Sequence, residues 1–115
     1  MRYMLMICTD HAVEQAMTPD EASAMLGRYG AFGEEMTRRG VLEAGARLRP
    51  AGDAVTVRVR GGEVLTSDGP FAETKEQIGG YYVVDCKSVD EAVEIASKIP
   101  GAQTGMIEVR PIWQM

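Results

Sequence analysis

Two periods of apolar and polar residues along the chain predict its helices and strands. Apolar residues recur three and four positions apart in two segments, which is the spacing of helices that bury one side. Other segments alternate as strands do, and two of them flank Gly61-Gly62, a pair typical of a tight hairpin turn. The pattern predicts helices over 19–39 and 89–99, core strands over Arg2–Cys8, Val41–Leu48, Tyr81–Cys86 and Met106–Trp113, and a hairpin of Ala54–Arg60 with Glu63–Ser67.

Local signals mark where both helices begin. Thr18-Pro19-Asp20-Glu21 places a capping threonine three residues before a glutamate, with proline at the first helical position. Ser88-Val89-Asp90-Glu91 repeats the capping box before the second helix. Within the first helix, Glu34–Arg38 and Glu35–Arg39 have the spacing of ion pairs on the exposed side.

The order of the elements predicts an α+β fold. Strand, helix, strand, short hairpin, strand, helix and strand form two split strand–helix–strand units, whose natural assembly is a ferredoxin-like βαβ sandwich with an inserted β-hairpin. Both crossovers have the same hand, so both helices lie on one face of the sheet and leave the other face open. The whole chain, residues 1–115, is then a single domain.

The first strand is apolar on both of its faces. Tyr3-Met4-Leu5-Met6-Ile7-Cys8 contains no charged residue, and a strand of this kind is covered on both sides. An open apolar sheet face marks an interface. We therefore expect a homodimer whose sheets pack face to face, of the dimeric α+β barrel type. The alternative is that the inserted hairpin folds over the open face of its own chain.

Two connecting segments carry weaker signals. Residues 9–17 are mostly polar, and we expect a loop there. Thr74-Lys75-Glu76-Gln77 has the residues of a helix start, and we expect one short helical turn that Gly79-Gly80 ends.

Composition narrows the class of protein. The chain of 115 residues is 45% hydrophobic and 25% charged, as ordinary globular domains are. Its net charge of −5 argues against nucleic acid as the main partner, because phosphate binding needs an excess of Lys and Arg. The apolar N-terminal run is too short for a secretory signal, and no run is long enough to span a bilayer. We expect a cytoplasmic protein with no membrane partner.

The cysteines and the single histidine offer little catalytic chemistry. Cys8 and Cys86 lie at far ends of strands that we expect to be antiparallel neighbours, so free thiols are expected rather than a disulfide. His11 stands beside Asp10 after the first strand, where an acid–base pair and a plain surface histidine are both open interpretations. This set of residues does not make a metal site, and we expect no cofactor.

The charges are unevenly distributed. Residues 61–115 hold 4 basic and 9 acidic groups, so they carry the whole acidic excess. Four arginines border the hairpin, in pairs that share a face: Arg47, Arg49, Arg58 and Arg60. They either clamp an anionic ligand, pair with carboxylates of the second half, or form the polar face of an exposed hairpin.

Residues 67–82 fit neither period and hold the best candidate site. Asp68-Gly69 supplies a turn that Pro70 stiffens. The charged candidates are Asp68, Glu73, Lys75 and Glu76. Carboxylates here suit proton transfer or cation binding, and the lysine suits an anion. The same groups equally fit a structural turn whose aspartate accepts backbone N–H bonds and whose lysine pairs with a glutamate.

The string Asp68-Gly69-Pro70-Phe71-Ala72-Glu73-Thr74-Lys75-Glu76, followed by Gly79-Gly80-Tyr81-Tyr82, resembles the DGPF branch of the YCII-related domain family. Further similarities run along nearly the whole chain: Tyr3-Met4-Leu5, Tyr29-Gly30-Ala31-Phe32, Thr56-Val57-Arg58, Asp90-Glu91-Ala92, Ile99-Pro100 and Glu108-Val109-Arg110-Pro111. The resemblance implies a ferredoxin-like fold and a dimer with packed sheets. It also implies kinship with proteins linked to extracytoplasmic-function sigma factors and, more distantly, with small lyase-type enzymes.

The catalytic pair that the resemblance implies has no counterpart in this sequence. Shorter YCII proteins are proposed to use a histidine in the first helix and an aspartate near the end of the second. Here residues 19–39 contain no histidine, and the second helix ends in Ser97-Lys98-Ile99-Pro100-Gly101. An enzymatic role is therefore not carried over from those members.

Two functions remain, besides a third interpretation in which the protein is a purely structural dimer. The first is a cytoplasmic dimer, an accessory to sigma-factor-linked regulation, that binds a small polar ligand in a cleft near the Asp68–Glu76 turn. Its expected binding residues are Asp68, Glu73, Lys75, Glu76, Tyr82 and Arg47. The alternative is a lyase- or hydrolase-type enzyme with a carboxylate base and Lys75 as the anion holder. The sequence leaves open whether the protein is an enzyme.

Overall fold

The computed structural model describes residues 1–115 and has a mixed α+β structure, which confirms the predicted class. Its two sheets are antiparallel. The helices are α1 (His11–Gln15), α2 (Pro19–Arg38) and α3 (Val89–Ser97). The strands are β1 (Arg2–Asp10), β2 (Leu42–Arg47), β3 (Val55–Arg60), β4 (Glu63–Asp68), β5 (Glu76–Asp85) and β6 (Met106–Pro111).

The capping signals mark the starts of both long helices as predicted, although the second capping box is only half formed, because the Glu91 carboxylate accepts the Lys87 N–H instead of the Ser88 N–H. The Thr18 hydroxyl accepts the Glu21 N–H at 3.1 Å, and the Glu21 carboxylate accepts the Thr18 N–H at 3.0 Å, which completes a capping box before α2. Ser88 accepts the Glu91 N–H at 3.2 Å before α3. These bonds satisfy N–H groups that have no partner inside the helix.

Two charged residues at the C-terminal end of α2 pair with α3 rather than with each other. Arg39, at the C-terminus of α2, donates to both carboxylate oxygens of Glu94, at 3.2 and 2.8 Å. Lys98 lies 3.2 Å from the Glu35 carboxylate. The predicted pair of Glu35 with Arg39 is therefore wrong, because both residues find partners on the neighbouring helix.

Four strands form the main sheet in the order β2-β5-β1-β6. The register pairs Leu5 with Tyr82 on one side of β1 and with Val109 on the other. A bulge between Ile7 and Cys8 shifts the pairing with β5 by one residue. The first two strands of the chain, β1 and β2, are thus separated by β5, which comes from the second half of the chain.

The core lies between the helices and one face of this sheet. Leu5, Met36, Val84, Ile95 and Ile99 are completely buried there. Residues of β1 on this face alternate with the residues of the opposite face, as strand geometry requires. Packing against the helices therefore buries only every second apolar side chain of β1, and the others lie on the opposite face.

The opposite face of the sheet is also apolar, and it lies on the other side from the core that α2 and α3 cover. Register places Met4 beside Val83 and Met6 beside Tyr81 on this face. Ala44 and Ala46 of β2 continue it, and both are exposed. At the other edge of this face, on β6, Glu108 and Arg110 form an ion pair. The result is an apolar strip with a charged border.

The inserted hairpin extends away from the main sheet. Gly61 and Gly62, at φ +56° and +80°, form the turn that joins β3 to β4 in a separate two-stranded sheet. Val57 and Val59 are 59% and 58% exposed. The radius of gyration is 16.0 Å, whereas a compact chain of this length has about 13 Å. The alternative in which the hairpin covers its own chain's open face is therefore wrong.

Two connecting segments differ from the prediction. The expected loop over residues 9–17 begins as the end of β1 and continues as α1, because the Asp10 side chain accepts the Ala12 N–H at 2.9 Å and caps this short helix. The expected helical turn over residues 74–77 is wrong. Strand β5 begins at Glu76, which pairs with Asp10 across the sheet. Cys8 and Cys86 are free thiols, as expected.

Candidate functional site

A cavity of about 480 Å³ opens between α1, the first half of α2 and the adjoining end of the main sheet. Met25 and Leu26 line it from α2, and Val13 lines it from α1. Ile7 of β1 and Tyr82 of β5 form its sheet side. Most of these groups are apolar, so the cavity favours a ligand with an apolar body.

Two glycines make room for the aromatic residues of this cavity. A Cβ atom on Gly45 of β2 would lie 2.6 Å from Cδ1 of Tyr82. A Cβ atom on Gly101 would lie 2.7 Å from the Tyr29 hydroxyl oxygen. Any larger residue at either position would displace a tyrosine, so the glycines determine where both hydroxyl groups lie.

The tyrosine hydroxyls are polar groups on an otherwise apolar surface. The Tyr29 oxygen accepts the Gly101 N–H at 3.1 Å, which joins α2 to the turn after α3. The Tyr82 ring packs against Phe32 with centroids 5.0 Å apart. Burial raises the pKa of both hydroxyls, and the neighbouring Tyr29 raises the pKa of Tyr82 further. Both groups therefore stay protonated and remain hydrogen-bond donors at neutral pH.

Three charged residues line the cavity, and their surroundings differ. Asp10 caps α1 and lies 3.7 Å from Lys75 Nζ. Glu14 accepts the Thr9 hydroxyl at 2.9 Å. Arg47, the last residue of β2, forms no hydrogen bond or ion pair within the chain. The arginine is therefore the charged group of the cavity that is free to take up a ligand.

The Asp68-Gly69 pair closes the base of the hairpin. Asp68 is the exposed last residue of β4, opposite Val55. Gly69 has φ +95°, and its N–H donates to Ala54 O at 2.7 Å. The Thr56 hydroxyl donates to Gly69 O at 2.8 Å. The start of the aperiodic segment is thus a structural turn.

The rest of that segment is held together by one amide side chain. Gln77 Nε2 donates to Ala72 O at 2.9 Å and to Thr74 O at 3.0 Å, and it also lies 3.0 Å from the Thr74 hydroxyl oxygen. The Thr74 hydroxyl in turn donates to Glu76 O at 2.7 Å. Residues 72–75 therefore form a compact loop that is tied to the first residues of β5, not a helical turn.

The structure separates the predicted site residues. Arg47 and Tyr82 line the cavity, and Lys75 reaches its border through Asp10. Asp68 and Glu73 are exposed and do not line it. Glu76 lies opposite Asp10 in the sheet, with Oε2 buried and without a hydrogen-bond partner. The four charged residues of the aperiodic segment therefore do not converge on one pocket.

Several residues of the cavity were missed by sequence reasoning. Tyr29 belongs to the apolar stripe of α2 and gives no separate signal for a site. Gly101 reads as a helix terminator, although it contacts Tyr29 from 72 positions away. Glu14 lies in a segment that was expected to be a loop. His11, the other open candidate, is the exposed first residue of α1.

No three His, Cys, Asp or Glu side chains are arranged as ligands for one metal ion. None of the helices combines the length and apolar character needed to cross a membrane.

The fold and cavity define a small α+β protein with a site between helices and sheet, and comparison with known proteins gives its family. The profile of the YCII-related domain family matches residues 1–115. An uncharacterized protein of Rhizobium meliloti (strain 1021) is 39% identical over 114 residues, which is 97% of this chain and 92% of that protein. The chain therefore belongs to the YCII-related domain family, as the sequence predicted.

The two cavity tyrosines are expected to make the folded protein sensitive to alkaline pH. Their pKa values are raised in the folded state, so their contribution to stability is complete below about pH 10 and is lost as the pH rises through the folded values. Ultraviolet titration of tyrosinate should show late ionisation in native protein that is absent in denaturant. Tyr29→Phe and Tyr82→Phe should each remove part of that late signal. Unchanged late titration in both variants would contradict this assignment.

Proposed function

We propose that this YCII-related protein binds a small molecule in the cavity between α1, α2 and the sheet, and that it does so as a homodimer. The observation that carries the proposal is the cavity itself. Its volume of about 480 Å³ lies within the range of ligand sites, roughly 300–1,000 Å³. Apolar walls around a few polar groups are the composition of such sites.

The proposed dimer is ferredoxin-like in each protomer, with the sheets packed as in a dimeric α+β barrel. The order β2-β5-β1-β6, in which the fourth core strand lies beside the first, supports this topology. The strip that contains Met4, Met6 and Tyr81 supports the interface, because it is apolar and only half-buried within one chain. The charged pair Glu108–Arg110 at its border resembles the polar rim of an interface.

Binding is favoured over the alternative of a lyase or hydrolase. That enzyme depends on carboxylates of residues 68–76 acting together with Lys75. Asp68 stands at the hairpin base, Glu73 is exposed, and Glu76 lies within the sheet. Lys75 instead pairs with Asp10 at the cavity border. The proposed ligand site is therefore centred on Arg47 and Tyr82, with Lys75 at its edge.

A matched pair of variants tests the proposed site. Ala22 and Ala24 are both exposed residues of α2, but only Ala22 lines the cavity. Ala22→Trp should block the cavity, and Ala24→Trp controls for a large aromatic residue on the same helix. The measurement is a thermal-shift screen of small metabolites, in which a ligand of the native state raises the melting temperature.

The expected result is a group of compounds that stabilise the wild type and Ala24→Trp but not Ala22→Trp. A ligand at 100 times its dissociation constant adds about 2.7 kcal/mol of stability, which is readily measured in a chain of this size. Compounds that stabilise all three proteins equally would bind elsewhere and would contradict the proposed site. A screen without any stabilising compound would count against the binding function itself.

A further inference from the structure

The acceptor groups of the cavity are already used by the protein. Asp10 accepts the Ala12 N–H at 2.9 Å and lies 3.7 Å from Lys75 Nζ. Glu14 accepts the Thr9 hydroxyl at 2.9 Å. The two carboxylates that line the cavity therefore serve the structure of α1 and its junction with β1.

Three donor side chains of the cavity, unlike the Thr9 hydroxyl, have no acceptor within the chain. The Tyr29 oxygen accepts the Gly101 N–H, so its own O–H has no acceptor within the chain. The Tyr82 O–H and the Arg47 guanidinium form no hydrogen bond to the protein. Two hydroxyl donors and one cation thus remain without acceptors around the same cavity. A carboxylate offers about four lone-pair sites and satisfies such a set.

The position of Arg47 suits an anion at the sheet side of the cavity. Arg47 pairs with Gly80 across β2 and β5, where a Cβ atom on the glycine would lie only 2.9 Å from Ala46 O, so the two strands approach closely and the backbone holds Arg47 at the edge of the cavity. Electrostatically, Arg47 lowers and Glu14 raises the pKa of the Tyr29 hydroxyl, so these opposite charges act on it together. An anion therefore interacts favourably with Arg47 and unfavourably with Glu14.

From this arrangement, and resting on the proposed function, we propose that the ligand is a small organic acid. Its carboxylate is held by Arg47 and the hydroxyls of Tyr29 and Tyr82. Its apolar body lies against Met25 and Leu26 of α2. Arginine suits this role because its planar guanidinium binds carboxylates through two N–H groups at once.

Three probes of one shape test the charge of the ligand: phenylacetate, phenylacetamide and phenethylamine. They present an anion, a neutral amide and a cation on the same apolar ring. Calorimetric titration of the wild-type protein at millimolar probe concentrations should show binding of phenylacetate at least about tenfold tighter than either analogue. That ratio corresponds to one charge-assisted hydrogen bond.

The matched variants are Arg47→Gln in the cavity and Arg58→Gln on the hairpin. Both arginines are exposed and unpaired, so neither change removes an internal contact. Arg47→Gln should weaken phenylacetate binding about tenfold or more, and Arg58→Gln should leave it unchanged. Tyr82→Phe should weaken it less, because it removes a neutral donor and retains the contact with Phe32.

Each other outcome overturns the assignment. Equal binding of phenylacetamide or phenethylamine would show that the site does not select an anion. A preference for phenylacetate that survives Arg47→Gln would place the anion elsewhere. Failure of all three probes would exclude aryl acids of this size as the ligand class. The proposed function would survive these results if the Ala22→Trp screen still finds cavity ligands, and would fail separately if it finds none.

Discussion

Met6→Glu is expected to reduce the mass of the protein in solution from twice the chain mass of 12.5 kDa to 12.5 kDa. Met6 lies at the centre of the open sheet face, between Tyr81 on β5 and Glu108 on β6. In a dimer that packs this face against a second copy, the new carboxylate would be buried without a partner. Burial of an unpaired charge costs several kcal/mol, which is enough to dissociate a small interface.

The same variant should remain folded as a monomer. Met6 is only half-buried in one chain, and its side chain lies on the opposite face from the core. Val93→Glu is the control, because Val93 is 53% exposed on α3 and lies on the helix side of the sheet. Sedimentation equilibrium at micromolar concentration gives the mass of each protein. A wild-type mass of 12.5 kDa would refute the dimer, and a dimeric Met6→Glu would refute this face as its interface.

The helices were predictable because their signals are local. Thr18 and Glu21 cap α2 through bonds between residues three positions apart, and Ser88 does the same for α3. The sequence of β1, which is apolar on both faces of the strand, likewise indicated a central strand, and β1 lies between β5 and β6. These features depend on the identity of neighbouring residues, so one sequence is sufficient to find them.

The segment 74–77 was mispredicted because distant contacts override its local preference. Thr74 and Gln77 have the spacing of a helix start, but their side chains bond to Glu76 O and Ala72 O instead. Glu76 is also drawn into the sheet by its pairing with Asp10, 66 positions earlier. Pairing between strands distant in sequence leaves no periodic signal in a segment this short.

The cavity was only partly predictable for a related reason. Arg47 and Tyr82 were chosen as binding residues, and both line it. Tyr29 has the spacing of an apolar helix stripe, which does not distinguish a site residue from a core residue. Only the close approach of Gly101 shows that its hydroxyl has a specific position. Contacts that join α2 to the turn after α3 exist only in the folded chain.

Ile95→Ala is expected to lower the free energy of unfolding by about 2–5 kcal/mol. Ile95 of α3 is completely buried, in the cluster that also contains Leu5, Met36 and Val84. The substitution removes three carbon atoms from this cluster and leaves a cavity. Since small domains are stable by only about 5–15 kcal/mol, this loss is a large fraction of the total.

Val93→Ala supplies the comparison, because Val93 lies two residues earlier in the same helix and is 53% exposed. Its expected effect is within about 0.5 kcal/mol. Alanine has a higher helix propensity than isoleucine or valine, so intrinsic propensity favours both variants. Urea denaturation followed by circular dichroism measures both changes, at one protein concentration because dimer formation adds to apparent stability. Equal losses in the two variants would mean that α3 does not contribute its Ile95 side to the core. A loss of stability confined to Ile95→Ala would show that the loss comes from the buried core beneath α3. This core lies on the face of the sheet opposite the proposed dimer interface.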